Sequence, residues 1–219
     1  MQEWTLAHRL LTAALVAATS MLVAPAAQAA APMVTAPAGV LSGMTQGNAD
    51  IFLGVPFAAP PMGQARWQPS TPLASYPTPI RATTARKGCS ASISADIGEM
   101  VNEDCLYLNI YRPAGVDAHA HLPVTVFIHG GGNQTGTPAS YDGTEFATRT
   151  HSIVVIPTYR LGVFGFLALG GKPGLPQGDL ALSDIISALK WTHDNIAAFG
   201  GYATGMSLVG ESAGAANIC

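Results

Sequence analysis

Residues 206–214 read Met-Ser-Leu-Val-Gly-Glu-Ser-Ala-Gly, a short apolar run that closes on a Gly-x-Ser-x-Gly turn. The run predicts a strand over 206–210, and the small residues after Ser212 predict a helix. A serine at such a strand-to-helix turn is held in a strained backbone conformation with its hydroxyl exposed, and the flanking glycines keep neighbouring backbone from clashing. In a chain of this composition the five-residue pattern arises by chance about 0.15 times, so on its own it is weak.

The neighbourhood strengthens it. His129-Gly130-Gly131-Gly132 directly follows a second strand candidate, 122–128 (LPVTVFI). Three glycines let backbone N–H groups approach a developing oxyanion, where each such donor is typically worth about 3–4 kcal/mol in a transition state. Residues 106–111 (LYLNIY) and 153–158 (IVVIPT) are further strand candidates. Residues 179–199 predict a helix, with Leu182, Ile185, Ile186, Leu189, His193 and Ile196 at helical spacing. Residues 33–45 and 49–55, separated by Gly47-Asn48, predict N-terminal hairpins. The proline-rich stretch 56–79 predicts a surface excursion. Strands apolar on both faces that alternate with a helix imply an α/β fold with a mostly parallel central sheet. Such sheets bind ligands at the carboxyl ends of their strands, where both glycine motifs fall.

Composition narrows the function classes. The 219 residues are 48% hydrophobic and 11% charged, which excludes a disordered chain. The net charge of −3 and the absence of a basic run give nucleic-acid binding no electrostatic support. No cluster of His, Cys or carboxylates has metal-ligand spacing, so no metal or cofactor is expected. Residues 10–24 carry no charge and are too short for a comfortable span; with Ala27-Gln28-Ala29 they predict a secretory signal over 1–29. A buried N-terminal helix or an uncleaved anchor is the alternative. The remaining domain, 30–219, would then be secreted or periplasmic, with no membrane contact after cleavage. In an exported chain Cys89 and Cys105 are natural disulfide partners, two free thiols being the other reading, and Cys219 is left without a mate.

Taken together, the motifs resemble the type-B carboxylesterases, the α/β-hydrolase group that includes cholinesterases and bacterial esterases. The resemblance rests on 199–214 (FGGYATGMSLVGESAG), 103–113 (EDCLYLNIYRP) and 129–132 (HGGG), with 52–58, 159–162 and 195–197 in support. It implies Ser212 as nucleophile and the N–H groups of Gly131, Gly132 and Ala213 as the oxyanion hole. It also implies a Cys89–Cys105 disulfide and ion pairs Arg66–Glu103 and Arg160–Asp184. Glu211 would shape the electrostatics of the site, or be only a polar spacer in the motif. The implied reaction is hydrolysis of a small carboxylic ester through an acyl-serine, without cofactor. The sequence departs from the family pattern at Asn133, where an aromatic or large apolar residue is usual, at 178–185, and at Tyr202-Ala203.

A seryl nucleophile needs a base and an orienting acid, which in this fold follow the serine in the order acid, then histidine. Neither follows Ser212 within these residues, and His119, His121, His129, His151 and His193 all lack the topology of a triad base. The expectation is therefore an incomplete, N-terminal part of an α/β-hydrolase, inactive by itself. A non-catalytic binding or adhesion protein on the same fold, and a short inactive product, remain the rival readings. Oligomeric state and ester preference have no signature in the sequence.

Overall fold

The computed structural model describes residues 30–91, 101–171 and 178–219. The signal expected over 1–29 lies outside the described residues. Strands β1 (Met33–Ala36) and β2 (Gly39–Ser42) form an antiparallel hairpin. Next come β3 (Met44–Gln46) and β4 (Ala49–Pro56), paired antiparallel across the Gly47-Asn48 turn. Both hairpins match the sequence reading. The short β5 (Ile80–Arg81) adds parallel to β2, and β6 (Gly88–Cys89) pairs with β7 (Val101–Asn102). The main strands are β8 (Tyr107–Pro113), β9 (Leu122–Ile128), β10 (Ile153–Pro157) and β11 (Gly201–Gly210). Helices α1 (Thr144–Thr150), α2 (Gly162–Phe166), α3 (Leu180–Asn195) and α4 (Ala213–Ile218) complete the fold.

The central sheet has six strands in the order β11-β9-β10-β8-β4-β3. It is an α/β sheet, as expected, but a mixed one. Pairings β11·β9 and β9·β10 are parallel, whereas β10·β8, β8·β4 and β4·β3 are antiparallel. The mostly parallel balance read from the sequence therefore does not hold for the described residues. Only β3·β4 follows from a tight turn; β4·β8 and β8·β10 are antiparallel across the long stretches 57–106 and 114–152, and the apolar patterning of a strand does not encode its direction.

Period-two alternation divides the core. On one face Phe52, Leu108, Ile110, Val124, Val126, Ile128, Ile153 and Val155 pack with Ala181, Ile185, Ala188 and Trp191 of α3. On the other, Ile51, Tyr111, Val154 and Ile156 pack with Ala147 of α1. Strand β10 is buried along its whole length because it lies between β9 and β8 with a helix layer on each side.

Helix α3 differs in detail from its sequence pattern. It ends at Asn195 and continues as a 3-10 turn over Ile196–Phe199. Ile186 is 65% exposed, and the seam is built from Ala181, Ile185, Ala188 and Trp191. Small residues let the helix approach the sheet closely, so the apolar stripe is rotated from the one the large residues suggest. Two further helices, α1 and α2, are too short to carry a readable period. The 56–79 excursion is pinned to α3 where Ser70 Oγ lies 2.8 Å from Ser187 Oγ and 3.1 Å from the Ser183 carbonyl oxygen.

Candidate active site

Strands β9 and β11 run parallel and in register, with Gly210 opposite Ile128. Their carboxyl ends therefore stand side by side, and the segments that leave them, His129–Gly132 and Glu211–Ala213, must meet. The Glu211 N–H donates to the Ile128 carbonyl at 3.2 Å and closes the junction.

At that junction Ser212 has φ 53° and ψ −121°, a conformation that L residues rarely adopt. The strain expected of the turn is present, and Ser212 is exposed. Gly214 is required by close approach: a Cβ there would run into the carbonyl oxygens of Ile128 and His129. A Cβ on Gly130 would lie 2.9 Å from Ser212 Cβ, so the glycine loop and the serine turn are in contact.

The peptide planes of the loop are set by side chains. His129 is 1% exposed, and its ring stacks on Tyr159 at 4.5 Å. Its Nδ1–H donates to the Gly130 carbonyl at 2.9 Å. Burial pulls the imidazole pKa below its ordinary value, against smaller opposing effects from the Gly130 carbonyl and Glu211, so the ring is neutral. The Gly131 carbonyl accepts from the N–H groups of Gln134 and Thr135, at 3.1 and 3.0 Å. The Ser212 carbonyl accepts from Ala215 and Ala216, at 3.0 and 3.2 Å. In a trans peptide the N–H points opposite the C=O. These three engaged carbonyls therefore turn the N–H groups of Gly131, Gly132 and Ala213 out of their turns. Among the described residues, none of the three donates a hydrogen bond.

Several supporting contacts were not readable from the sequence, although Tyr159, Asn133 and Glu211 lie in or beside the quoted motifs. Tyr159 Oη donates to the His129 carbonyl at 2.7 Å, and burial pushes this phenol up to about 12, keeping it a donor. Tyr141 Oη reaches Glu211 Oε2 at 3.4 Å, so Glu211 sits beside the serine turn with a phenol neighbour. Asn133 and Asn217 bond to each other across the two segments. These contacts depend on chain crossings that no local pattern encodes. Of the upstream histidines, His193 bonds its own neighbour Asp194 on α3, and His151 caps α1. Among the described residues no side chain hydrogen-bonds Ser212 Oγ.

The outer supports fall where the motif reading put them. Cys89 and Cys105 form a disulfide with Cα atoms 5.0 Å apart. Arg66 meets Glu103 through two bonds, at 2.6 and 2.7 Å. Arg160 forks onto Asp184 at 2.8 and 2.7 Å, with both side chains buried. A second buried pair, Arg112–Asp50 at 3.1 Å, was not foreseen, because its partners lie on separate strands 62 residues apart.

Residues 30–219 match the model of the carboxylesterase family. The chain belongs to the carboxylesterase family. Carboxylesterase 1E of Mus musculus is 39% identical over 193 residues, covering 81% of this chain and 34% of the relative. Liver carboxylesterase 1 of Oryctolagus cuniculus is 38% identical over 193 residues, covering 81% and 33%. A solved PNB esterase aligns with a TM-score of 0.76 and 36% identity, over 85% of this chain and 39% of that one. This carboxylesterase-family chain thus spans about a third of the length of the curated relatives it matches. Among its described residues no helix is long and apolar enough to cross a membrane.

Proposed function

We propose that this chain carries the nucleophile and oxyanion donors of a serine carboxylesterase acting on small carboxylic esters. The strained Ser212, in contact with a glycine loop whose Gly131 and Gly132 N–H groups have no acceptor among the described residues, supports this reading most directly. Ser212 Oγ attacks the ester carbonyl carbon, and the carbonyl π electrons move onto oxygen. The N–H groups of Gly131, Gly132 and Ala213 donate to that oxygen. Collapse expels the alcohol and leaves an acyl-serine, which water then hydrolyses. Neutral, buried His129 holds the 130–131 peptide in the orientation that aims the Gly131 N–H, and Glu211 sets the local field.

Deprotonating Ser212 needs a base, and no residue described here is placed to serve. Turnover therefore calls on residues outside this stretch, and the 219-residue chain alone is proposed to be inactive. Residues 1–29 are proposed to direct export, leaving 30–219 as the hydrolase portion in a secreted or periplasmic setting.

The test is hydrolysis of nitrophenyl esters by the protein made from the longest open reading frame that contains this sequence. Turnover is expected there, and Ser212→Ala should lower kcat by about 10⁶. A Ser212→Ala protein that keeps its rate would overturn the assignment. Enzyme-like, Ser212-dependent turnover by residues 30–219 alone would overturn the claim of inactivity. A full frame that hydrolyses no ester would favour a binding protein on this fold.

A further inference from the structure

Within that ester-hydrolysis reading, we infer that Asn133 and Asn217 form an amide latch that fixes the spacing between the glycine loop and the serine turn. They are positioning residues for the oxyanion donors. Asn217 Nδ2 donates to Asn133 Oδ1 at 2.9 Å, and Asn133 Nδ2 lies 3.5 Å from Asn217 Oδ1. Both side chains are half-buried.

The placement of each residue gives the pair its role. Asn133 directly follows Gly132. It has φ 59°, in the left-handed region that asparagine tolerates better than most residues. Asn217 lies four residues after Ala213 on α4, so it stacks over the turn that carries the third donor. The latch thus joins the residue beside one donor to the residue stacked on another.

The rest of the loop is anchored elsewhere. Tyr159 holds the His129 carbonyl, and the Gly162 N–H holds the Asn133 carbonyl at 2.6 Å. The Tyr159 hydroxyl also neighbours the Asn217 side chain, so this anchor borders the amide pair. Among the described residues, no other hydrogen bond joins segment 130–136 to segment 212–218. Gly131 and Gly132 are exposed and have no side chain to pack. Strand register and the Glu211–Ile128 bond bring the two segments together, and the amide pair ties the far end of the glycine loop to α4. The pair stands at the position where the family pattern has an aromatic or large apolar residue, which could only pack.

The experiment uses the protein from the longest open reading frame carrying these residues, assayed with nitrophenyl butyrate. Asn217→Leu keeps the side-chain size and removes the hydrogen bond. Asn133→Gly removes the amide and suits the left-handed backbone without strain. Each single variant is expected to lower kcat about tenfold at unchanged KM, because a misplaced donor weakens only the transition state. The double variant should be no slower than either single, since both changes break one contact. Melting temperatures report folding separately: a lowered melting temperature with unchanged kcat would reduce the pair to a structural contact and overturn the latch. Wild-type kcat in both singles, losses that multiply in the double, or a raised KM at constant kcat would do the same. A Ser212→Ala control separates the two claims. If it keeps its rate, or if the unaltered protein hydrolyses no ester, the ester-hydrolysis reading fails and the latch with it. If Ser212→Ala is dead while the latch variants are unaffected, only the latch fails.

Discussion

Asp184 shows how much a single side chain supports near the site. It accepts from Arg160 Nε, an Arg160 terminal nitrogen and the Arg160 backbone N–H, all out of water. Asp184→Ala strands a buried guanidinium and should destabilise the fold by about 3–5 kcal/mol, read as a shift in the urea midpoint. A loss under about 1 kcal/mol would mean the pair is dispensable. His129 makes a pH prediction. Its native pKa lies below the ordinary 6.5, so on acidification the unfolded chain takes the proton first. The stability His129 contributes is present above pH 6.5 and is lost as pH falls from there toward the lower native value. Melting curves between pH 8 and 5 should show that decline, and His129→Asn should flatten it. The placement of Ser212, Gly131 and Gly132 just beyond two strand ends was legible because glycine and serine spacing is local. Tyr159, Asn217 and the Asp50–Arg112 pair were not, because their partners are 30, 84 and 62 residues away and only the folded sheet brings them together.

Among the elements, the long strands could be read directly. Strands β8, β9 and β10 agree with their apolar runs to within a residue or two, since a strand buried on both faces has few other uses for so many branched side chains. Pairing direction could not be read this way, because alternation is the same in parallel and antiparallel strands. Strand β4 shows a further limit. Its register shifts between Phe52 and Val55, with Gly54 at φ 70°, so two residues three apart share one face. A strict period of two would send one of them to the wrong side. The Cys89–Cys105 bridge also belongs to this scale, since it ties β6 to the approach of β8. With the cysteines 16 positions apart in sequence, Cys89→Ser/Cys105→Ser should cost about 3 kcal/mol. The same loss is expected of the unaltered protein under strong reductant, and an equal midpoint with and without reductant would refute it.

At the scale of the molecule, the two-sided core explains why one sheet face looks complete and one corner does not. Strand β11 stands at the edge of the described sheet, where Leu208 and Val209 are 38% and 44% exposed. Beside them Phe127, Phe146, Val154, Ile156 and Val209 line an apolar hollow. An exposed apolar edge strand invites association. Residues 30–219 prepared alone should bind a hydrophobic dye and sediment as larger species with rising concentration. Leu208→Lys/Val209→Glu should reduce both effects. A strictly monomeric, dye-silent preparation would contradict this reading of the edge. The alternation of buried residues was visible in the sequence, but which strand ends up at the margin is a property of sheet order alone.

The in-register pairing of Gly210 with Ile128 has one more consequence. The meeting of the serine with the glycine loop begins in the alignment of two strand interiors, before any contact between the loops refines it. Gene variants that lengthen or shorten the exposed loop at 114–120 should be tolerated, because no ladder counts those residues. Deleting one residue inside β9 or β11 is different: every side chain beyond the deletion changes face, and the serine and the loop part company by about 3.3 Å. A scan of single-codon deletions should therefore find its sharpest boundary at the ends of these two strands.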